Sequence, residues 1–306
     1  MIAGSWLPLL VLAWLAELRA GVAAGWPRHT LESEQVIRLN LPDVRPFDAS
    51  ALLRTPGGEF LTVNNRQAGI YRVELLSDGL TANLIRLTDR FPHAEMARLG
   101  FDREPAPDWE GLAQDETGRL YVCDEARRWI LRWSPGSNRL ERLPIDWSPV
   151  ATFFSPVETN ASFEGIAVGR GRLFVANERS SPVIAVVDLE SFRVVDQFVV
   201  YPAFPSLLGT HYSDLAWHEG HLWVLLRHDR VVLEVEPETK RVVAEYEFGA
   251  LEDRLRYRKR LPTGIMEGLW VERESLWLLT DNNGYGREDA PNDRRPTLLK
   301  CRRPGR

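Results

Sequence analysis

The sequence predicts an all-β fold, a β-propeller built from four-stranded antiparallel blades. Three observations favour this class. Similar segments recur along the chain at intervals of about 50 to 60 residues. Each segment contains short runs in which apolar, β-branched and aromatic residues alternate with polar ones, separated by tight turns such as "DETGR". Helical spacing of apolar residues is absent from these runs, so repeated strands explain the period.

The repeated units open at five points, which are Ser50, Glu110, Glu164, Asp214 and Glu267. In the second unit, the first strand "EGLAQ" leads through a turn to "LYVC", then to "ILRWS" and "RLERLPI". The last unit supplies only three strands, and an unclaimed strand, "SEQVIRLNL" at 33–41, precedes the first unit. We therefore expect five blades closed by the N-terminal strand, which removes exposed sheet edges. Six blades, with a diverged blade in the long loops, is the alternative.

The first segment differs from the rest of the chain. The apolar run "SWLPLLVLAWLA" at 5–16 is followed by small residues at Val22 and Ala24, as in a secretory signal with its cleavage site. The run is shorter than the roughly 20 residues that span a bilayer. We therefore predict a cleaved signal peptide at 1–24, a single domain at 25–306, and a periplasmic or secreted protein without stable membrane insertion.

The composition is that of an ordinary globular protein: 306 residues, of which 44% are hydrophobic and 26% charged, with a formal net charge of −5. The basic residues are dispersed, so nucleic acid is not an expected partner, and we expect a monomer. Cys123 and Cys301 are the only cysteines. On the predicted fold they lie in non-adjacent units, so both are expected to be buried thiols.

The carboxylates that open the units are expected to converge. In a propeller the first strand of each blade lines the central channel, and the connections between blades share one face with the turns between second and third strands. The long segments 89–108, 146–163 and 249–266 all fall on that face, which marks it as the binding face. Four acids are therefore expected to crowd one mouth of the channel: Glu110, Glu164, Asp214 and Glu267.

The ends of the second strands reach the same mouth and are polar. Nearly equivalent positions there hold Asn64, Asp124, Asn177 and Asp281. Carboxylates packed closely raise each other's pKa unless a cation lies among them, and Ca²⁺ takes carboxylate and carbonyl oxygens in such numbers. We therefore predict a calcium site with the ligands Glu110, Glu164, Asp214, Glu267 and Asp281. The alternative is that each acid only hydrogen-bonds the neighbouring strands.

Arginines follow the same strand ends. They are Arg66, Arg127 or its neighbour Arg128, Arg179 and Arg230. Guanidinium groups bind phosphate and carboxylate oxygens in pairs, so an arginine collar around the acids predicts an anionic substrate held by Arg66, Arg127, Arg179 and Arg230. The alternative is that each arginine only pairs with the nearest carboxylate.

Two histidines are placed to act as a general base. His211 precedes the first strand of the fourth unit, and His228 follows the second strand of that unit, so both are expected at the mouth of the channel. Glu164 is the third catalytic candidate. By contrast, His218 and His221 flank a tight turn on the other face and are expected to be surface residues. No G-x-S-x-G elbow, P-loop or dinucleotide fingerprint occurs. The basic run "RLRYRKR" is either a solvated surface or a steering patch for an anionic ligand.

Three segments, "DWEGLAQDETGRLYVCDEARRWILRW", "NASFEGIAVGRGRLFVANER" and "GIMEGLWVERESLWLLTDNNGYG", resemble the phytase-like family, described as esterase-like activity of phytase. The resemblance spans roughly residues 45–302. It implies a propeller whose mouth binds calcium and a phosphate or ester substrate, with acidic sites at Glu110, Glu164, Glu267 and Asp281. Asp214 departs from the family's E-G pattern, and Ser50 lacks the acid.

These observations predict a metal-assisted hydrolase of phosphate esters or related esters. Ca²⁺ among the acids would polarise the scissile group, and the arginines would neutralise developing negative charge. A lactone hydrolase of the gluconolactonase type is one alternative. A non-enzymatic propeller that binds a small anionic ligand, a glycan or a protein partner is the other.

Overall fold

The structure, a computed structural model, describes residues 25–41, 47–65, 67–155, 161–178, 181–258 and 263–305. The predicted signal peptide, Arg66 and Arg179 lie outside the described residues. Within these ranges no helix is long and apolar enough to span a lipid bilayer.

Antiparallel pairing divides most of the strands into five groups of four. The first group contains β3 (Ala49–Arg54), β4 (Phe60–Asn64), β5 (Gln67–Leu75) and β6 (Thr81–Leu87). The second contains β7 (Trp109–Gln114), β8 (Leu120–Asp124), β9 (Trp129–Ser134) and β10 (Arg139–Arg142). The third contains β11 (Phe163–Gly169), β12 (Arg172–Asn177), β13 (Val183–Asp188) and β14 (Arg193–Phe198).

The remaining strands use both ends of the chain. The fourth group contains β15 (Tyr212–His218), β16 (His221–Leu226), β17 (Val231–Glu236) and β18 (Arg241–Glu247). The fifth contains β19 (Met266–Val271), β20 (Ser275–Thr280), β21 (Thr297–Arg302) and the N-terminal β2 (Glu32–Asn40). Helices α1 (His93–Arg98) and α2 (Gly249–Leu255) and a 3₁₀ helix (Ser148–Phe153) lie in the three long connections.

Burial explains why these segments are strands. The inner strands are buried at nearly every position, as in β8 "LYVCD" and β20 "SLWLLT". Such continuous apolar runs are typical of strands covered on both faces. The outer strand β14 is exposed at most positions and retains polar residues. Cys123 and Cys301 are both buried and free, which confirms the prediction for the two thiols.

The first strands of the groups form a closed ring, since β3, β7, β11, β15 and β19 contact one another in that order and β19 returns to β3. The predicted N-terminal strand is present: β2 pairs antiparallel with β21 and, at its far edge, parallel with β6. A short strand that the sequence did not predict, β1 (Arg28–Thr30), adds a parallel edge to β18. The N-terminal segment therefore straps three groups together.

A register shift recurs near the start of each first strand. In the second group Trp109 pairs with Asp124 and Gly111 with Cys123, so Glu110 is the extra residue of a β-bulge. In the fourth group Tyr212 pairs with Leu226 and Asp214 with Leu225. The predicted equivalence of Asp214 with the glutamates is therefore wrong by one residue. The equivalent positions are Ser50, Glu110, Glu164, Ser213 and Glu267.

Candidate functional site

One residue after each second strand is held in the same way in every group. The backbone N–H of this residue donates to the carbonyl of the residue two places before the bulge position. The donors are Asn65, Glu125, Glu178, Arg227 and Asp281, and the matching acceptors are Asp48, Asp108, Ser162, His211 and Ile265. This shared hydrogen bond holds the residue after each second strand beside the start of the first strand of its group. Asp281 thus matches Glu125 and Glu178, one residue beyond the predicted alignment.

Five carboxylates gather on the second and third groups, and we refer to them as the acidic sector: Asp108, Glu110, Glu125, Glu164 and Glu178. Two sets offer ligand atoms within 4.8 Å of one another. One set is Asp108, Glu110 and Glu125, and the other is Glu164, Glu178 and His211. Sequence reasoning placed Glu110 and Glu164 here but missed the other three acids. Glu125 and Glu178 could have been found from the sequence, because each is the second residue of "DEARR" and "NER" and so directly follows its strand.

Four members of the acidic sector are buried, and Asp108 is half-buried. Glu110 is 8% exposed and Glu164 6%. Burial raises the pKa of Glu110 well above its usual range, and the carboxylates of Asp108 and Glu125 raise it further. Burial likewise raises the pKa of Glu164, followed in effect by Glu178, Glu110 and Glu125, while Arg227 acts in the opposite direction. Neighbouring carboxylates disfavour each other's charged form, and a cation bound among them would favour it.

The predicted histidines meet beside the acidic sector. The Nε2 atom of His211 lies 2.7 Å from Oε1 of Glu178, and both residues are buried. The ring of His228 stands edge-on against that of His211, with centroids 4.4 Å apart. Because His228 is half-exposed, it is the more accessible of the two imidazoles. His211 and Glu178 therefore both lie in the interior, and His228 is the imidazole nearer the solvent.

Among the described residues, the site contains an arginine that the sequence did not predict. Arg227, whose side chain is 19% exposed, forms an ion pair with the carboxylate of Glu267. The same guanidinium lowers the pKa of Glu164, so Glu267 and Glu164 are linked through it. In the sequence, Arg227 is the first residue of "RHDR" at 227–230, and Arg230, which was predicted instead, is the last.

Arg127 and Arg230 are the two predicted arginines that the structure describes, and both contact neighbouring connections of the chain. Arg127 pairs with Asp124 at 3.3 Å, donates to the carbonyl of Arg103 and stacks on Phe101. It therefore ties down the connection that precedes β7. Arg230 pairs with Asp253 in α2 at 2.6 Å. A role for them in substrate binding stays a prediction.

Like Glu267, the predicted metal ligands Asp214 and Asp281 belong to neither donor set. The Oδ2 atom of Asp214 accepts the N–H groups of Leu269 at 2.7 Å and Leu52 at 3.2 Å, and its Oδ1 accepts that of Leu215 at 2.8 Å. This fully buried carboxylate therefore joins the first strands of three groups. Asp281 accepts the N–H of Asn283 at 2.7 Å. Both carboxylates satisfy backbone donors, the alternative that the sequence left open.

These pKa shifts predict the pH dependence of stability. Burial raises the pKa of Asp124 and Asp229 to about 6, and those of Glu110 and Glu164 are also raised. The folded state then binds protons more tightly than the unfolded state, so stability present at low pH is lost as the pH rises through the folded pKa values. Burial lowers the pKa of His218, which opposes this trend below its ordinary value of 6.5, but it is one group against five acids once Asp214, whose pKa burial also raises, is included.

We therefore expect the free energy of unfolding of the metal-free protein to fall between about pH 5 and about pH 8. Urea denaturation in a chelator at several pH values measures it. Calcium ions, which would replace the protons, should flatten the slope. A free energy of unfolding that rises steadily across this interval would contradict the assignment.

The comparisons with known proteins agree with this architecture. The structure is similar to that of glutaminyl cyclase from Myxococcus xanthus, with a TM-score of 0.59 at 17% identity over 90% of this chain and 97% of that chain. It is less similar to the PQQ-bound aldose sugar dehydrogenase from Streptomyces coelicolor, with a TM-score of 0.48 at 12% identity over 89% and 97%. At 17% identity the first likeness shows a propeller-like fold and carries no activity with it.

Sequence comparison adds the family. A search of curated protein sequences gives no match. The profile of the phytase-like family, described as esterase-like activity of phytase, matches residues 15–284. This match confirms the resemblance seen in the three E-G segments and covers nearly all of the repeated units. The chain belongs to the phytase-like family.

Proposed function

We propose that this protein is a metal-assisted hydrolase of phosphate esters or related esters, and that its five strand groups are the blades of a five-bladed propeller. One observation carries the proposal: two neighbouring groups gather five carboxylates, four of them buried, beside an imidazole pair and Arg227. Buried carboxylates packed this closely raise one another's pKa, and a cation bound among them stabilises their charged form. A purely structural role would not require this concentration on two of five groups.

The donor chemistry fits a divalent cation. Asp108, Glu110 and Glu125 offer only oxygen atoms, which suits Ca²⁺. The set of Glu164, Glu178 and His211 adds an imidazole nitrogen, a ligand that calcium does not prefer and that the first set does not offer. We therefore assign calcium to the all-oxygen set. A cation bound there would supply Lewis acidity toward a phosphoryl or acyl oxygen.

The side chains around the acidic sector have distinct proposed roles. His228 is half-exposed at the edge of the pair and takes the proton from the attacking water. His211 is held by Glu178 and packs against the ring of His228, so its role is to position His228. Because His211 is buried, it does not contact the substrate itself. Glu164 belongs to the other set, but Glu110 and Glu125 raise its pKa, so it supplies a further carboxylate charge beside the calcium site. Arg227 neutralises the anionic oxygens of the substrate and of the transition state.

The test is a substrate screen with the purified chain that follows the predicted signal peptide. Phosphomonoester, phosphodiester, lactone and carboxylester substrates are assayed with and without Ca²⁺, and the metal content of the native protein is measured. We expect bound calcium and turnover of a phosphate or carboxylic ester that is lost on chelation and restored by calcium. Turnover of lactones alone would favour the gluconolactonase-type reaction instead.

Two further outcomes would overturn the enzymatic proposal. Calcium that raises the melting temperature without turnover of any substrate would identify a binding propeller for an anionic ligand, a glycan or a protein. Neither binding nor turnover would leave the acidic sector as a structural feature. Export of the chain, its monomeric state and the absence of nucleic-acid and membrane partners remain proposals from the sequence.

A further inference from the structure

A large cavity occupies the end of the ring opposite the acidic sector, and we refer to it as the distal cavity. Its volume is about 800 Å³, within the range of sites for small organic ligands. Its wall is formed by the later part of all five first strands, including Leu112, Ile166 and Leu215. The tight turns after these strands form the rim. Neither donor set of the acidic sector contributes to it.

The centre of the ring separates the distal cavity from the acidic sector. Asp214 lies there and receives hydrogen bonds from the first strands of three groups. Neighbouring first strands also approach closely through glycines, since a Cβ at Gly165 would lie 2.4 Å from the Asp214 backbone and one at Gly111 2.4 Å from the carbonyl oxygen of Glu164. The backbones leave no room even for a methyl group at these points. The two ends of the ring are therefore different compartments.

The wall of the distal cavity presents rigid aromatic surface. Trp217 stacks on Phe174, with ring centroids 5.5 Å apart and an interplanar angle of 15°. A Cβ at Gly169 would lie 2.1 Å from the Trp217 ring, so the ring occupies the space that glycine leaves open. Trp270 lines another part of the wall. Large apolar rings held in place favour flat or hydrocarbon ligands.

The rim is rich in arginine, with Arg54, Arg119, Arg170 and Arg273 around the opening. Three of them are paired with carboxylates: Arg54 with Glu272, Arg119 with Asp115 and Arg170 with Glu238. Arg273 is exposed and, among the described residues, pairs with no carboxylate. His218 also lines the cavity, and burial lowers its pKa, which favours the neutral imidazole at neutral pH. A guanidinium beside an apolar wall suits an acidic group on an apolar body.

We propose that the distal cavity is a second binding site, for an organic anion with an aromatic or hydrocarbon body. The apolar part packs against Trp217 and Trp270, and the acidic group binds Arg273. This site is independent of the proposed hydrolase activity, because Asp214 and the first-strand backbones lie between them.

The test compares two fluorescent probes that differ in one acidic group. These are 1-anilinonaphthalene-8-sulfonate, an aromatic anion, and N-phenyl-1-naphthylamine, which has the same rings without the sulfonate. We expect one sulfonate probe per chain, bound at least about fivefold more tightly than the neutral probe. Arg273→Glu should weaken binding of the sulfonate probe by about fivefold and leave binding of the neutral probe unchanged. Val168→Trp enlarges a side chain of the wall and so fills part of the cavity, and it should weaken binding of both probes.

Controls lie on the other face. Arg258→Glu changes an exposed arginine in the connection that leads to β19, and Leu207→Ser removes the most exposed apolar side chain described. Neither should alter binding of the sulfonate probe. The proposal is overturned if Arg273→Glu and Val168→Trp both leave binding unchanged, or if Leu207→Ser abolishes it. Because Arg273 is exposed, its variant is expected to fold even if Val168→Trp does not.

Discussion

Replacement of Glu164 by glutamine is expected to lower hydrolysis by at least about 100-fold while raising the melting temperature of the metal-free protein. The loss of activity follows from removing the carboxylate charge of Glu164 beside the calcium site without changing the size of the side chain. The gain in stability follows from the raised pKa of Glu164, because burial disfavours its charged carboxylate and Glu178, Glu110 and Glu125 repel it. A neutral amide relieves that repulsion. Activity and stability therefore move in opposite directions.

The measurements are steady-state hydrolysis of the best substrate and thermal unfolding with chelator and with Ca²⁺. Glu190→Gln is the matched control, since Glu190 is an exposed carboxylate in the turn between β13 and β14. It should change neither quantity. In Glu164→Gln the stabilisation gained on adding calcium should also be smaller than in the native protein. A variant that keeps its activity, or that melts earlier than the native protein without metal, would exclude this role for Glu164.

Replacement of Gly165 by alanine is expected to lower the free energy of unfolding by about 2 to 3 kcal/mol, or to prevent folding. The new methyl carbon would lie 2.4 Å from Cα of Asp214 and 2.5 Å from the backbone nitrogen of Leu215. These contacts are with backbone that the hydrogen bonds of Asp214 fix, so the neighbouring strand cannot move aside. The first strands of the third and fourth groups would have to separate.

Gly136→Ala is the matched control for this prediction. Gly136 lies in the turn between β9 and β10, and nothing would lie within 4 Å of its added Cβ. We expect no loss there, and a small gain from the restricted unfolded chain. Urea denaturation of the two variants measures the difference. Equal stability of the two variants would show that the first strands are packed less tightly than the structure places them.

Most of the architecture could be predicted because strand period and turn residues are local properties. The repeat located the four strands of each complete group, and the missing fourth strand of the last unit pointed to the N-terminal strand β2. The three residues of β1 carry no such pattern, because a parallel edge pair needs only backbone groups. The register of β15 was mistaken because a bulge adds one residue without changing the apolar pattern. Aligning acid with acid therefore placed Asp214 where Ser213 lies.

The acidic sector was predicted in part for the same reason. Glu110 and Glu164 are fixed by the bulge itself, whose E-G pair is visible in the sequence. Glu125 and Glu178 follow the strands, where the sequence does not show which residue turns inward. The position of the Arg127 side chain could not be predicted, because a long flexible side chain can reach many carbonyls. In the structure it donates to the carbonyl of Arg103, in the connection before β7. Side-chain direction in connections depends on partners that only the folded chain brings together.

The pairing of β2 with β21 has a consequence for biosynthesis. The ribosome makes β2 long before β21, so β2 lacks its antiparallel partner until β21 has been made. During that time β2 can pair only with β6, over three residues, and its other edge exposes hydrogen-bonding groups that can pair with other chains. Closure of the ring by β2 and β21 therefore depends on contacts of very long sequence separation, and such closures are slow.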